Sequence, residues 1–187
     1  MRRDISVSRP FLIFGGIRLK DNTAIYPYSA SYAREHGELD QYRASYRANI
    51  ACKEAIEQAI AAHYHDNRLG AEAVHQVLEQ FSYDRMFYVL AVTVRQKDWD
   101  GRISRDNKDW AKTIPVYENP GSSVRDSNIY FVVDRSHPGL TDLFLTQARR
   151  EYAQAQEKKT SVHDSLNRNS RQKANSDKPK PHRQPER

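Results

Sequence analysis

Between Glu38 and Tyr64 apolar and aromatic residues recur in steps of three and four: Leu39, Tyr42, Tyr46, Ile50, Ile56, Ile60 and Tyr64, with Lys53 on the same stripe. That period belongs to an α-helix with one covered face, and it predicts a single long helix from about Glu38 to His63. Glu38 and Asp40 stand in its first turn, where the helix macrodipole favours acids. Ala48, Cys52, Ala55 and Ala59 supply small surfaces for close packing. A helix of this length must bury its stripe against other elements, so it sets the plan of the chain.

The flanking segments supply that cover. Ser29 is placed to cap a short helix running through His36, with Gly37 in the usual stop position. His65-Asp66-Asn67 reads as a turn, and Ala71–Gln80 has helical spacing through Val74, Val77, Leu78 and Phe81. A further helix starts at Ser82 or Asp84 and turns Met86, Phe87, Val89, Leu90 and Val94 inward. Its β-branched residues leave a strand open, but the uninterrupted length up to Lys97 favours a buried helix. Trp99-Asp100-Gly101 is a loop, after which Ser104 caps a short helix carrying Trp110. Residues 115–128 read as irregular and Ile129–Val133 as a strand. Pro138-Gly139 leads into a last helix with Leu140, Leu143, Phe144, Gln147 and Tyr152. At the other end, Phe11–Phe14 and Ile17–Lys20 flank Gly15-Gly16, a connection that suits a tight hairpin. No internal repeat is present.

Charge is spread unevenly over the 187 residues, which carry 30 Lys/Arg against 24 Asp/Glu. The last 34 residues hold a surplus of five positive charges and the first 22 a surplus of three, so residues 23–153 are net −2. The pI near 9.4 therefore belongs to the ends, and a basic nucleic-acid-binding core is not implied. Only four apolar residues fall in those last 34 (Ala155, Val162, Leu166, Ala174), so a disordered basic tail is expected from about Glu157. The single cysteine, Cys52, excludes an intrachain disulfide and any multi-cysteine zinc site. No apolar run reaches the ~20 residues of a membrane span. The run Phe11–Phe14 is too short and too interrupted for a signal peptide, so a cytoplasmic location is expected.

Few constellations point to chemistry. Read as a calcium loop around Gly101, the segment offers Asp98 and Asp100 but lacks the entry carboxylate and the closing glutamate, so calcium is rejected. His63 and His65 are two apart and diverge on a helix, and no metal or other cofactor is implied. Cys52 lies mid-helix as a packed thiol, and no Gly-x-Ser-x-Gly elbow or Gly-rich phosphate loop occurs. Glu38, Asp40, Glu54 and Asp100 would have to converge for a metal-dependent nuclease. More commonly such acids pair with Arg43, Arg47 and Lys53. The densest polar-aromatic stretch runs from Lys97 to Trp110. Trp99 and Trp110 flank Arg102 and Asn107 there, either as a recognition platform or as core beneath a capped turn. Trp110, one helical turn inside its helix, is expected to be core, and Arg102 to be surface.

The segments Tyr26-Pro27, Tyr32–Ser45, Asn49–Ile56, Val89-Leu90-Ala91, Lys97–Ser104, Asn107 with Trp110-Ala111, and His137-Pro138 together resemble an uncharacterised domain family. This domain of unknown function is found in conjugative and integrative mobile elements of Gram-positive bacteria, alone or inside large multidomain proteins. The resemblance covers about Tyr26 to Tyr152 and carries no established activity or catalytic residue. It implies a context in which small proteins often protect incoming DNA against restriction or CRISPR systems.

The sequence thus predicts an α+β, mainly α-helical protein: a compact helical domain over 26–156 with one long central helix, a small β component, a hairpin or lead-in over 1–25 and a disordered basic tail over 157–187. Its expected role is that of a non-enzymatic interaction protein. The expected partner is a host defence protein or ribonucleoprotein, with weak non-specific nucleic-acid binding through the basic ends and no membrane contact. A nuclease, or a nucleic-acid-binding accessory factor for conjugation, is the alternative. The candidate binding residues are Trp99, Asp100, Arg102, Ser104, Asn107, Glu38, Arg43 and Lys53.

Overall fold

The computed structural model describes residues 20–116, Val133 and 138–176, as backbone alone from 162 onward. Six helices are present among them: α1 (Ala30–Glu35), α2 (Leu39–His63), α3 (Ala71–Leu78), α4 (Tyr83–Gln96), α5 (Arg105–Thr113) and α6 (Pro138–Ser176). The described strands are β1 (Tyr64–His65) and β2 (Arg68–Leu69), an antiparallel pair with Tyr64 opposite Leu69. The hairpin expected over 11–20 and the strand expected over 129–133 lie outside the described residues, Lys20 and Val133 excepted.

Local chemistry sets the boundaries. Ser29, Ser82 and Ser104 each occupy the N-cap position of their helix and accept from the backbone amides of Tyr32, Arg85 and Asn107. Gly37, at φ 72°, closes α1: Glu38 N donates to Ala33 O at 2.7 Å and Gly37 N to Arg34 O at 3.4 Å. That pair of bonds is the Schellman arrangement, whose left-handed position favours glycine. Asp66 and Asn67 both have positive φ (51° and 60°), as a two-residue hairpin with right-handed strand twist requires.

α4 is the middle of the molecule. Every residue from Arg85 to Val94 is buried, which settles the helix-or-strand question in favour of a helix covered on all sides. α2 packs on α3 and α4, α5 and α6 pack on α4, and α3 also meets α6. The core runs through Ile56, Val74, Val77, Met86, Leu90, Phe144 and Leu145.

One expectation needs correction. The buried residues of α2 are Ser45, Asn49, Cys52, Ala55, Ile56, Ala59 and Ile60: the expected stripe is covered at Ile56 and Ile60, but in the first half of the helix Ser45 and Asn49 are buried while Tyr42, Tyr46 and Ile50 are half-buried. The reason is Arg85, which is only 2% exposed yet ionic. Its guanidinium donates to Ser45 O (3.2 Å) and Asn49 Oδ1 (2.5 Å) on α2 and to Thr23 O (2.5 Å), with Nε 3.6 Å from Asp21. A buried cation of this kind demands polar partners, so α2 presents its polar side to it. The last helix is described as far as Ser176. No proline or glycine occurs between Gly139 and Pro179, and Gln, Glu, Lys, Arg and Ala are good helix formers even without a buried face.

Candidate recognition loop between α4 and α5

The chain leaves α4 at Lys97 and turns sharply before Ser104. Asp100 N donates to Lys97 O at 2.8 Å and Ile103 N to Asp100 O at 3.3 Å, which closes the backbone of the turn. Ile103 and Asp100 point inward, Asp100 at 4% exposure. The Asp100 carboxylate accepts from the backbone amide of Arg102 (2.9 Å) and from its Nε (3.1 Å) and second terminal nitrogen (2.8 Å). These bonds from Arg102, more than any other influence, pull the Asp100 carboxyl down to about 2. Lys97 is buried and donates to Val133 O at 2.7 Å, and Lys108 Nζ reaches back to Asp98 O.

Within this frame Trp99 stands out: its side chain is 75% exposed, the most exposed of the large apolar residues described. Arg102 lies beside it with its side chain mostly in solvent, although its fork is held by Asp100. Trp110 takes the other role. It is half-buried, meets Phe87 edge-on at 5.2 Å and lies under Arg149 at 5.7 Å. Of the two tryptophans, one is presented and the other braces α5 against α4 and α6.

Ser104 and Asn107 serve that bracing. Ser104 donates through its amide and hydroxyl to Asp142 Oδ1, both at 2.9 Å. Asn107 is 1% exposed; its amide group donates to Asp142 Oδ1 (2.7 Å) and Thr146 Oγ1 (3.0 Å), and its oxygen accepts from Arg149 (2.7 Å). Both side chains are committed to tying α5 to α6. Arg95 in α4 completes the frame by donating to the carbonyls of Ala111, Lys112 and Ile114 at the end of α5.

The remaining candidates lie on or just before α2 with local partners. Glu38 accepts from the Tyr26 hydroxyl at 2.7 Å; burial first, and that acceptor second, push the Tyr26 hydroxyl up to about 12. Arg43 pairs with Asp40 at 3.6 Å and Lys53 with Glu57 at 2.9 Å. The four acids a nuclease would gather are thus dispersed, and no group of three or more His, Cys, Asp or Glu that could hold a metal ion occurs among the described residues. Cys52 is buried, and desolvation pushes its thiol up to about 12. No helix is long and apolar enough to cross a membrane among the described residues.

What fold and loop define is a mainly helical α+β domain that presents one aromatic side chain from a hydrogen-bonded turn. The chain belongs to the family described as Protein of unknown function (DUF3849), which it matches over residues 25–153, more than half its length. No curated protein and no solved structure matches it.

Proposed function

We propose that the domain is a non-enzymatic interaction module whose α4–α5 loop docks on a protein partner, with Trp99 as the anchor and Arg102 beside it. The observation that carries this reading is Trp99 in solvent on a turn whose neighbours, Asp100, Ile103 and Asn107, are all buried and bonded. Exposing an indole forfeits its burial, while a turn held by Asp100 and Arg102 lowers the ordering cost of binding through it. Tryptophan and arginine are the residues that most commonly dominate an interface.

The finer reading is counter-defence. The protein serves a bacterial mobile element by occupying a host defence protein or ribonucleoprotein of a CRISPR or restriction system. The family context implied by the sequence resemblance motivates it. Its test is transformation of a targeted plasmid into cells carrying an active defence system. Expression of the wild-type chain should restore transformation and the Trp99→Ala chain should not. No rescue by the wild type across CRISPR and restriction hosts would sink the counter-defence reading. Equal rescue by Trp99→Ala would sink the anchor.

A second reading, a nucleic-acid accessory factor, draws on the exposed Lys158 and Lys159 of α6 and on the basic ends. It requires binding that collapses with rising salt and is lost when residues 157–187 are removed.

A further inference from the structure

Lys97 lies at the root of the recognition loop, 5% exposed yet carrying an ammonium. A buried ammonium is unfavourable unless it is bonded, and a methionine would fill similar space without that penalty. Its bonds show what it holds. Nζ donates to Val133 O at 2.7 Å. One turn earlier on α4, the buried Thr93 hydroxyl donates to Val89 O at 2.7 Å and accepts from Val133 N at 3.2 Å. Thr93 and Lys97, four residues apart on one face of the helix end, thus take both backbone polar groups of a single residue. Val133 is fully buried, where an amide and a carbonyl both require partners.

The same lysine opens the loop. Its amide closes α4 on Thr93 O at 3.1 Å, and its carbonyl accepts from Asp100 N at 2.8 Å. After the bonds from Arg102, the charge of Lys97 also helps to hold the buried Asp100 carboxyl down. Asp100 in turn bonds the amide and the guanidinium of Arg102. One chain of contacts therefore runs from Val133 through Lys97 to Asp100 and Arg102, with Trp99 between Lys97 and Asp100.

We propose, on the reading of this loop as the recognition site, that Lys97 is its positioning residue and couples the seating of the chain at Val133 to the turn that presents Trp99. With Val133 seated on α4, the ammonium stays buried and the turn is held. With Val133 withdrawn, the ammonium loses that acceptor, turns towards water and takes its field away from Asp100. Whatever unseats Val133 thereby lowers the fraction of molecules that present Trp99 on an ordered turn.

The test is amide hydrogen exchange on full-length variants, read without a partner. Thr93→Val removes a hydroxyl that bonds Val89 and Val133 and no residue of the loop. It should nonetheless quicken exchange at the bonded amides of Asp100, Arg102 and Ile103 by about tenfold, relative to those of Glu79 and Phe81 at the end of α3. Lys97→Met should do the same; replacing a buried charge by an apolar chain, it keeps the fold and carries the test should Thr93→Val melt. Coupling is reciprocal, so Asp100→Asn, a change within the turn, should quicken exchange at the Val133 amide by a comparable factor. Loop exchange unchanged in Thr93→Val or in Lys97→Met would overturn the proposal, as would Val133 exchange unchanged in Asp100→Asn. Equal quickening of the loop and of Glu79 and Phe81 would also overturn it, because a merely structural role moves all of them together. Unchanged partner binding by Trp99→Ala would sink the anchor and leave these exchange shifts in place, so the two readings fail separately.

Discussion

Replacing Arg85 by methionine should be among the most damaging single changes in the chain. Methionine fills a similar volume but offers no donor, so the carbonyls of Thr23 and Ser45 and the Asn49 side-chain oxygen lose their partner inside the protein. Each buried acceptor left unpaired costs about 1–3 kcal/mol. The ion pair adds less, because Asp21 is 3.6 Å away and 24% exposed at its side chain. Allowing for partial relaxation, the loss should be about 3–5 kcal/mol, as for other broken buried charge networks. In a domain of this size that lowers Tm by about 10 °C or more. Arg85→Lys, which keeps the charge but not the fork, should recover only part of it. Urea denaturation followed by far-UV circular dichroism measures the change. Amide exchange should meanwhile quicken at Asp21 and Tyr26, whose N–H groups bond Gln80 O and Ser45 Oγ, because the segment they fasten is held by Arg85. A loss below about 1 kcal/mol, with exchange unchanged there, would refute the claim that Arg85 organises the α2–α4 contact.

Asn107→Ala should destabilise by about 1–3 kcal/mol by removing the buried bonds to Asp142, Thr146 and Arg149 that tie α5 to α6, and thermal melts would show it. The Asp100 carboxyl, held near 2 in the fold against about 3.9 in the unfolded chain, contributes stability that is complete above about pH 4 and lost as pH falls towards 2. Acid titrations of the wild type and Asp100→Asn should therefore differ in slope across that window and run parallel above it. Cys52, buried with its thiol pushed up to about 12, should resist a thiol reagent at neutral pH and react in step with unfolding, as timed labelling in urea would show.

The helices were legible because their signals are local. Serine caps at Ser29, Ser82 and Ser104, the glycine stop at Gly37 and the three-four spacing of α2 and α3 act within a turn or two of themselves. Even the all-round apolar run of α4 announced a buried helix by its length. What escaped was long-range polar pairing. Nothing in Ser45 or Asn49 alone says that an arginine 40 or 36 residues later enters the core beside them, so the covered face in the first half of α2 is not legible from spacing. Ser104 was legible as a cap, but Asp142, which takes bonds from both Asn107 and Ser104, is 35 and 38 residues away. The strands of the hairpin were hidden by their brevity; only the turn at Asp66-Asn67 could be read. Trp99 and Arg102 were named from composition, which cannot distinguish a presented indole from a packed one; solvent exposure makes that distinction.

The proposed function requires Trp99 to be presented for a partner rather than used for stability. Paired measurements of melting and of partner retention on Trp99→Ala address that claim most directly. The substitution should leave stability within about 0.5 kcal/mol, because the indole is 75% exposed. It should weaken binding of the defence component proposed as its partner by about 2 kcal/mol, near thirtyfold. A domain that melts several degrees lower, or one that keeps its fold and binds that component as tightly as before, would contradict it.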